Sequence, residues 1–416
     1  MKVLHVGTTD IAGGAARAAY RLHRGLRDIS VPSSMFVREK ESDDDAVREF
    51  TPSTDFVSWA RRRWRHEWVY RSITPYDRPD GYEKFSDDRT RYGARVVEQL
   101  PTADLYNLHL VANFVDLEAF FERTTAPVVW TLHDMVAFTG GCHYTAGCTR
   151  FVDRCGRCPQ LGSSEDDDLS RAIWERKKTV YGEAIDEGRL HVATPSNWLA
   201  EEARRSALLG EAPVDVIPYS LDTDTFRPRE GDELQAALEI PSSHRVLLFV
   251  AGNTAKRRKG MSLLVRAFEE RPPDDVTLVS IGGNSPPVPE RVPHVHLGSI
   301  NSDLLLSVFY SMADVFVIPS RQDNLPNTVL EAMACGTPVV GFEAGGIPDM
   351  VRPGETGWLA EAEDATALRE AIGRSLASED TRTERAKRCR EIVVEEYDLP
   401  VQAQQYRELY DRVLGD

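Results

Sequence analysis

Two acidic residues eight positions apart have the chemistry to bind a sugar. Asp323 and Glu331 lie in the stretch PSRQDNLPNTVLEAMACGTPVVGFEAGG, which runs from Pro319 to Gly346. A carboxylate only accepts hydrogen bonds and can take two neighbouring hydroxyls, so the vicinal diol of a ribose or a hexose suits it. A helix acid favoured by the dipole and a solvated loop aspartate would explain the same two residues.

The residues around these acids predict a strand, a loop and a helix. Residues 314–318 form a short apolar run that is typical of a buried parallel strand. Residues 320–327 predict a loop, and the helix that begins at Thr328 is ended by Gly336 and Pro338. Because the N-terminus of a helix presents free N–H groups to an anion, we expect this segment to bind a diphosphate.

A second strand-to-helix loop, from Ala251 to Gly260, is rich in positive charge. An arginine offers a planar fork and a lysine a compact charge, so such a loop suits a pyrophosphate, with solvated surface charge as the alternative. Its basic residues are Lys256, Arg257, Arg258 and Lys259.

The spacing of the two acids, followed by EAMACGTPVV, resembles the acidic-x7-acidic motif of the retaining glycosyltransferases of family 4. The resemblance covers nearly the whole chain and is strongest from Pro319 to Val340. It implies an α/β protein of the GT-B fold, with two Rossmann-like domains facing a central cleft. The implied reaction is transfer of a hexosyl unit, with retention of configuration, from a UDP- or GDP-linked sugar to a glycan or lipid-linked acceptor, as in bacterial polysaccharide biosynthesis.

The same resemblance assigns roles to individual residues. Glu331 would bind the ribose and Asp323 the donor sugar, although the family usually has Glu at the latter position. No catalytic metal is implied, because two cations and a helix N-terminus would stabilise the leaving diphosphate. The implied catalytic residues are His109, Arg258, Lys259, Asp323 and Glu331. The nucleotide sugar would contact Gly13, Gly14, Asn253, Asn324, Leu325, Asn327 and Thr328, with Asn253 standing where the family usually has Arg.

Strand and helix patterns alternate along the chain and predict doubly wound parallel sheets with ligands at the carboxyl ends of the strands. We predict an acceptor-binding domain at residues 1–218 and a nucleotide-sugar-binding domain at 219–399, with a terminal helix at 400–416 that crosses back. His109 and His133 lie at two such strand ends, where a purely structural histidine is the alternative.

Four of the six cysteines fall between positions 142 and 158. In a reducing compartment this density favours a structural zinc site, and disulfides or plain thiols are the alternatives. The expected ligands are Cys142, Cys148, Cys155 and Cys158, with His143 as a replacement for one sulfur.

The net charge of −16 argues against binding of nucleic acid. One segment differs, because residues 56–71 read FVSWARRRWRHEWVYR and predict a helix rich in arginine and tryptophan. Such a helix could lie on an anionic membrane, or it could pack its tryptophans on its own domain. We expect a cytoplasmic protein, with a peripheral position at the inner membrane face as the alternative location. A sugar-nucleotide epimerase and a non-catalytic nucleotide-sugar-binding protein are the alternative functions.

Overall fold

The computed structural model describes residues 1–270 and 273–415, which form two compact units. The first unit comprises Met1–Pro218 and Gln402–Asp416, and the second comprises Tyr219–Val401. Each unit is built on one parallel sheet with helices between its strands. Parallel strands require long crossover connections, and the helices supply them.

The first unit has a sheet of seven described strands in the order β3-β2-β1-β4-β5-β6-β7. Its strands are β1 (Val3–Thr9), β2 (Ser33–Glu39), β3 (Val47–Glu49), β4 (Leu105–Leu108), β5 (Val128–Thr131), β6 (Leu190–Thr194) and β7 (Val214–Val216). Its helices are α1 (Gly14–Asp28), α2 (Phe56–Ile73), α3 (Leu117–Arg123), α4 (Leu169–Asp186) and α5 (Asn197–Arg205). The strand order reverses between β1 and β4, which is where such sheets place ligands.

The second unit has a sheet of six described strands in the order β10-β9-β8-β11-β12-β13. Its strands are β8 (Arg245–Val250), β9 (Val276–Ile281), β10 (His294–His296), β11 (Val315–Ile318), β12 (Val339–Phe342) and β13 (Gly357–Ala360). Its helices are α6 (Asp232–Ala237), α7 (Met261–Glu270), α8 (Asp303–Met312), α9 (Asn327–Ala334), α10 (Ile347–Met350), α11 (Ala365–Leu376) and α12 (Glu379–Glu396). The reversal of strand order falls between β8 and β11, so the loops that follow these two strands lie at the expected ligand position.

The central strands β11 and β12 of the second sheet carry no polar side chain. Every residue of β11 is buried, as is every residue of β12. A strand covered by helices on both faces needs apolar side chains on both, and this is why the sequence shows continuous runs rather than alternation.

The last helix, α13 (Leu399–Leu414), completes the core of the first unit. The hydroxyl of Tyr406 lies 3.0 Å from that of Thr131, next to β4. Asn107 donates to the hydroxyl of Tyr410 over 2.6 Å. These fully buried tyrosines pack with the first strand and first helix of the chain, so residues distant in sequence share one core.

Candidate functional site

The loop after β11 holds a buried carboxylate that binds two cations. Asp323 accepts a hydrogen bond from Nζ of Lys259 over 2.6 Å and one from Nη1 of Arg258 over 3.0 Å. The hydroxyl of Ser320 donates to it over 3.2 Å. Burial alone would raise the pKa of Asp323, but the charges of Lys259 and Arg258 outweigh burial and hold that pKa well below its usual range. The carboxylate is therefore ionised and fixes both cationic side chains in place.

A glycine allows the basic turn to reach this carboxylate. Arg257–Lys259 form a single 3-10 turn that ends at Gly260, whose φ is +72°. A Cβ on Gly260 would overlap the carbonyl oxygen of Pro319, the residue that follows β11. The amide of Arg321 also donates to the carbonyl of Arg258 over 2.8 Å. The two loops are thus in direct backbone contact, which places Arg258 and Lys259 beside Asp323.

A glycine pair after β12 holds the backbone of the same aspartate. Gly345 has a φ of +57°, and a Cβ there would overlap the carbonyl oxygen of Asp323. The amide of Gly346 donates to that carbonyl over 2.9 Å. Both ends of Asp323, its backbone and its carboxylate, are consequently fixed by loops from neighbouring strands.

The second acid lies one turn inside α9. Glu331 is buried, and its carboxylate accepts a hydrogen bond from the hydroxyl of Tyr310 over 3.0 Å. Tyr310 belongs to α8 and is itself fully buried. The carboxylate is therefore oriented by a neighbouring helix. Among the other predicted contacts, Asn324 and Leu325 are buried in the loop, and Asn327 and Thr328 are half-buried in the first turn of α9.

Asn253 supports its own loop. Its side-chain oxygen accepts from the amide of Ala255 over 2.9 Å and from the side chain of Asn284 over 3.0 Å. An arginine at this position would offer a phosphate contact, whereas this asparagine fastens the basic loop to the turn after β9.

In the first unit, His109 is the middle member of a chain of three imidazoles. Its Nε2 lies 2.9 Å from Nδ1 of His5, and its Nδ1 lies 3.0 Å from Nε2 of His133. The three residues come from the neighbouring strands β1, β4 and β5 or from the positions that follow them. Burial, and then the proximity of His5 and His133, keeps the pKa of His109 far below its usual value. The imidazole is therefore neutral, and each of its ring nitrogens has another imidazole as its partner.

A further acid and histidine continue from this chain. Asp134 follows His133, and its carboxylate lies 2.7 Å from Nδ1 of His143. The other ring nitrogen of His143 lies 2.9 Å from the hydroxyl of Ser86. Burial would raise the pKa of Asp134, but the interaction with His143 and the hydrogen bond from the amide of Val136 outweigh burial and lower that pKa. His143 is thus bound to Asp134 and Ser86, so the prediction that it replaces a cysteine as a metal ligand has no support.

The glycine loop after β1 is shaped by a residue that the sequence analysis missed. Gly13 has a φ of +93° and precedes α1, whose first residue is Gly14. Both glycines are exposed. Asp10, which is fully buried, accepts from the amides of Glu41 and Ser42, each over 2.9 Å. The signal that could have indicated Asp10 is an acidic residue between a strand and a glycine pair.

The four clustered cysteines do not support the zinc prediction. Cys142, Cys148, Cys155 and Cys158 line one small cavity. Within residues 1–270 and 273–415, however, no group of three or more His, Cys, Asp or Glu side chains could hold a metal ion. All six cysteines, each of them within these ranges, are free thiols. Burial raises the pKa of Cys155 to about 12 and raises that of Cys142 further.

The helix predicted at residues 56–71 is present as α2, and its tryptophans stay substantially exposed. Trp59, Trp64 and Trp68 are 49%, 66% and 43% exposed. The alternative, in which the helix packs its tryptophans on its own domain, holds only in part, since the guanidinium of Arg89 lies 4.2 Å from the centroid of the Trp68 ring. In the part of the chain that the structure describes, no helix is both long and apolar enough to cross a membrane.

The structure brings Arg258, Lys259 and Asp323 into contact and places Glu331 on the helix that follows them. Gly13, Gly14 and His109 belong to the first unit. The second unit thus presents two cations, two buried acids and a helix N-terminus at the carboxyl ends of β8 and β11, where parallel sheets bind ligands.

Residues 244–378 match the family described as Glycosyl transferases group 1. The D-inositol 3-phosphate glycosyltransferase of Acidothermus cellulolyticus is 32% identical over 224 residues, which are 49% of this chain and 49% of that protein. The alpha-maltose-1-phosphate synthase of Mycolicibacterium smegmatis is 30% identical over 253 residues, or 55% of this chain and 65% of that protein. The chain spans about half the length of the curated relatives that it matches.

Solved structures resemble the entire chain. Sucrose-phosphate synthase from Thermosynechococcus elongatus superposes with a TM-score of 0.69 at 19% identity and covers 100% of both chains. Anabaena HepE in complex with UDP and glucose superposes with a TM-score of 0.67 at 16% identity and covers 99% of each chain. At these identities the likeness establishes the fold alone, and it confirms the predicted GT-B class with two parallel Rossmann-like sheets.

Proposed function

We propose that this chain is a retaining glycosyltransferase, because residues 244–378 match the family described as Glycosyl transferases group 1. It moves a hexosyl unit from a nucleotide-diphosphate sugar to a glycan or lipid-linked acceptor. The observation that carries the proposal is the buried Asp323 with its two cations, Lys259 and Arg258, in the loops after β11 and β8.

The charges of this cluster suit a diphosphate. The side chains of Asp323, Lys259 and Arg258 together carry one positive charge, which favours an anion. The first turn of α9 adds N–H groups and the positive end of a helix dipole. UDP, which is bound in the structure of HepE, has this chemistry, so a UDP-linked donor is the first one to test, followed by GDP-linked donors.

The two acids bind different uncharged parts of the donor, the ribose and the sugar. Glu331 holds the ribose diol, and the hydroxyl of Tyr310 keeps its carboxylate oriented. Asp323 holds Lys259 and Arg258 while the donor is absent. When the diphosphate binds, its oxygens also contact Lys259 and Arg258. The carboxylate of Asp323 then becomes available to hydroxyls of the sugar. The shorter Asp suits this double role because it stays within reach of both cations.

In the transfer step, the bond between the anomeric carbon and the diphosphate oxygen breaks, and its electron pair leaves with the nucleoside diphosphate. Lys259 and Arg258 stabilise the charge that develops there, which is the kind of preorganised stabilisation that lowers a barrier most. The acceptor hydroxyl oxygen forms the new bond on the same face of the sugar. Its proton passes to an oxygen of the leaving phosphate.

We assign the acceptor to the first unit. There His109 is neutral, and its two ring nitrogens bind His5 and His133, so it keeps these imidazoles oriented without adding charge beside a reacting sugar. The exposed pair Gly13 and Gly14 lets a ligand approach the backbone at the start of α1.

Calorimetric titration with UDP, GDP and their hexose conjugates tests the donor assignment. The wild-type chain is expected to bind one nucleotide series, and Lys259→Ala is expected to weaken that binding and to abolish transfer while circular dichroism stays unchanged. Lys387→Ala, which removes an exposed lysine of α12, is the matched control and should behave as wild type. Near-normal transfer by Lys259→Ala would refute the assigned role.

Product analysis distinguishes a retaining glycosyltransferase from the two alternative functions, a sugar-nucleotide epimerase and a non-catalytic binding protein. A new glycosidic bond of unchanged anomeric configuration, observed by proton NMR with an added acceptor, supports retaining transfer. Conversion of the donor without an acceptor would indicate an epimerase instead. Tight nucleotide binding with no product under either condition would indicate a binding protein.

A further inference from the structure

Helix α2 is held to the first unit by polar contacts rather than by a buried apolar face. Its inward side is polar, because Arg65 donates to the carbonyl of Thr90 over 2.7 Å and to the carboxylate of Asp116 over 2.6 Å. Arg62 likewise donates to the carbonyl of Ser53. None of residues 56–73, all of which the structure describes, is buried. The helix is thus attached to the first unit through its arginines.

The exposed surface of α2 carries large aromatic side chains. Phe56 is 77% exposed, Trp64 66% and Tyr70 55%. They include two stacked pairs, Phe56 on Trp59 and Trp64 on Trp68, with ring centroids 5.9 Å and 6.4 Å apart. Burial of apolar surface is favourable by about 25 cal/mol per Å², so these exposed aromatic rings indicate a surface that a partner covers.

A basic cavity adjoins these rings. Its volume is about 730 Å³, and its lining includes Trp64 and a single described glutamate, Glu98. Its described arginines are Arg61, Arg62, Arg65, Arg91, Arg95 and Arg123. In a chain of net charge −16, this concentration of guanidinium groups is a local site for anions. Because a guanidinium binds phosphate oxygens through two parallel hydrogen bonds, phosphate is the anion that fits.

We propose that α2 and the arginine cavity dock the protein on an anionic phospholipid surface. The aromatic side chains enter the headgroup region, where tryptophan and tyrosine are favoured because each has an apolar ring and a polar atom. The exposed Arg61 and Arg91 at the cavity, together with the exposed Arg63, bind the lipid phosphates. A second copy of this chain docked through the same face would bring arginine against arginine, and the like charges would repel.

Vesicle binding tests the proposal with the full chain. Co-sedimentation is measured with vesicles of phosphatidylcholine alone and of phosphatidylcholine and phosphatidylglycerol in equal parts. Binding to the second kind only is expected, with a shift of tryptophan emission to shorter wavelength. Raising the ionic strength from about 0.1 M to about 1 M shortens the screening length from about 10 Å to about 3 Å and should weaken binding.

Paired variants separate the two contributions. Trp59→Ser with Trp64→Ser, and Arg61→Glu with Arg63→Glu, should each reduce vesicle binding at least tenfold. Matched controls change equally exposed residues elsewhere: Leu304→Ser with Leu305→Ser on α8, and Lys387→Glu with Arg388→Glu on α12. The controls should bind as wild type does, and all variants should keep the wild-type circular dichroism.

Several outcomes would overturn the proposal. One is that wild type binds neither kind of vesicle, and another is that the two α2 variants bind as tightly as wild type. Complete displacement by free glycerophosphate would indicate a soluble phosphate ligand in place of a bilayer. Binding to polyglutamate without binding to vesicles would indicate an acidic protein partner. These measurements contain no sugar donor or acceptor. A failure to bind vesicles can therefore be distinguished from a failure of the proposed sugar transfer.

Discussion

Replacement of Asp323 by asparagine tests how the candidate donor site is held together. The variant keeps the shape of the side chain but removes the negative charge that Lys259 and Arg258 contact over 2.6 Å and 3.0 Å. Removal of one partner from a buried ion pair costs about 3–5 kcal/mol. Lys259 and Arg258 keep 23% and 15% of their side-chain surface exposed, so water compensates part of that loss. We therefore expect Asp323→Asn to lower the free energy of unfolding by about 2–4 kcal/mol.

The pH dependence gives this prediction a second, independent check. Because the pKa of Asp323 is lowered in the folded state, its contribution is present above the unfolded-state pKa and is lost as the pH falls through the folded-state pKa. The gap in unfolding free energy between wild type and Asp323→Asn should be full above a pH of about 5 and should narrow below about 4.

Urea unfolding, followed by circular dichroism and by hydrogen exchange of peptides covering residues 257–261 and 319–327, measures the effect. Glu396→Gln is the control, since the pair of Glu396 with Arg352 is substantially exposed. The control should change stability by less than about 1 kcal/mol. A stability of Asp323→Asn within about 0.5 kcal/mol of wild type, with unchanged exchange in both peptides, would refute the reasoning.

Three other substitutions or treatments have expected outcomes. Glu331→Ala should weaken nucleotide binding by about 1.5–3 kcal/mol, or roughly 10- to 150-fold in Kd by calorimetry, because a charged acceptor for the ribose diol is lost. Gly260→Ala should destabilise the second unit, as seen in a lowered Tm, since a Cβ would overlap the carbonyl of Pro319 and the backbone has a positive φ. Cys155, whose pKa is raised to about 12, should resist alkylation by iodoacetamide at pH 8 in the folded protein and react in urea.

Each of these three predictions has an outcome that would contradict it. Unchanged affinity in Glu331→Ala would remove the acid from the ribose site. Gly252→Ala is the control for Gly260→Ala, because a Cβ there meets no atom within 4 Å, and equal melting temperatures of the two variants would contradict the steric argument. Rapid alkylation of Cys155 in the native state, located by mass spectrometry, would show that its sulfur is accessible.

Much of the second unit could be predicted from the sequence. Strand β11 occupies residues 315–318 of the apolar run predicted at 314–318, and α9 begins at Asn327, one position before the predicted start. These elements are defined by strong local signals, namely continuous apolar runs bounded by glycine, proline and charged residues. The edge strand β3, with only Val47 of its three residues buried, lacks such a signal and was missed.

The pairing inside the candidate site could not be predicted in this way. Asp323 was expected to face a sugar and Lys259 a diphosphate, and nothing in their spacing indicated that they bind each other. The two residues lie in loops that are more than sixty residues apart in the sequence and approach each other at Gly260. Their contact therefore depends on the tertiary structure. The imidazole chain is similar, since His5 gave no motif and only the strand order places it beside His109.

The position of α13 has a consequence for how the protein is made. The first unit's core includes Tyr406 and Tyr410, which leave the ribosome only after the entire second unit has been synthesised. Until then the emerging chain exposes the apolar surface around Val3 and Leu26 that these tyrosines later cover. During translation the second sheet can therefore be finished before the first, and the nascent first half depends on chaperones or on rapid synthesis to avoid aggregation.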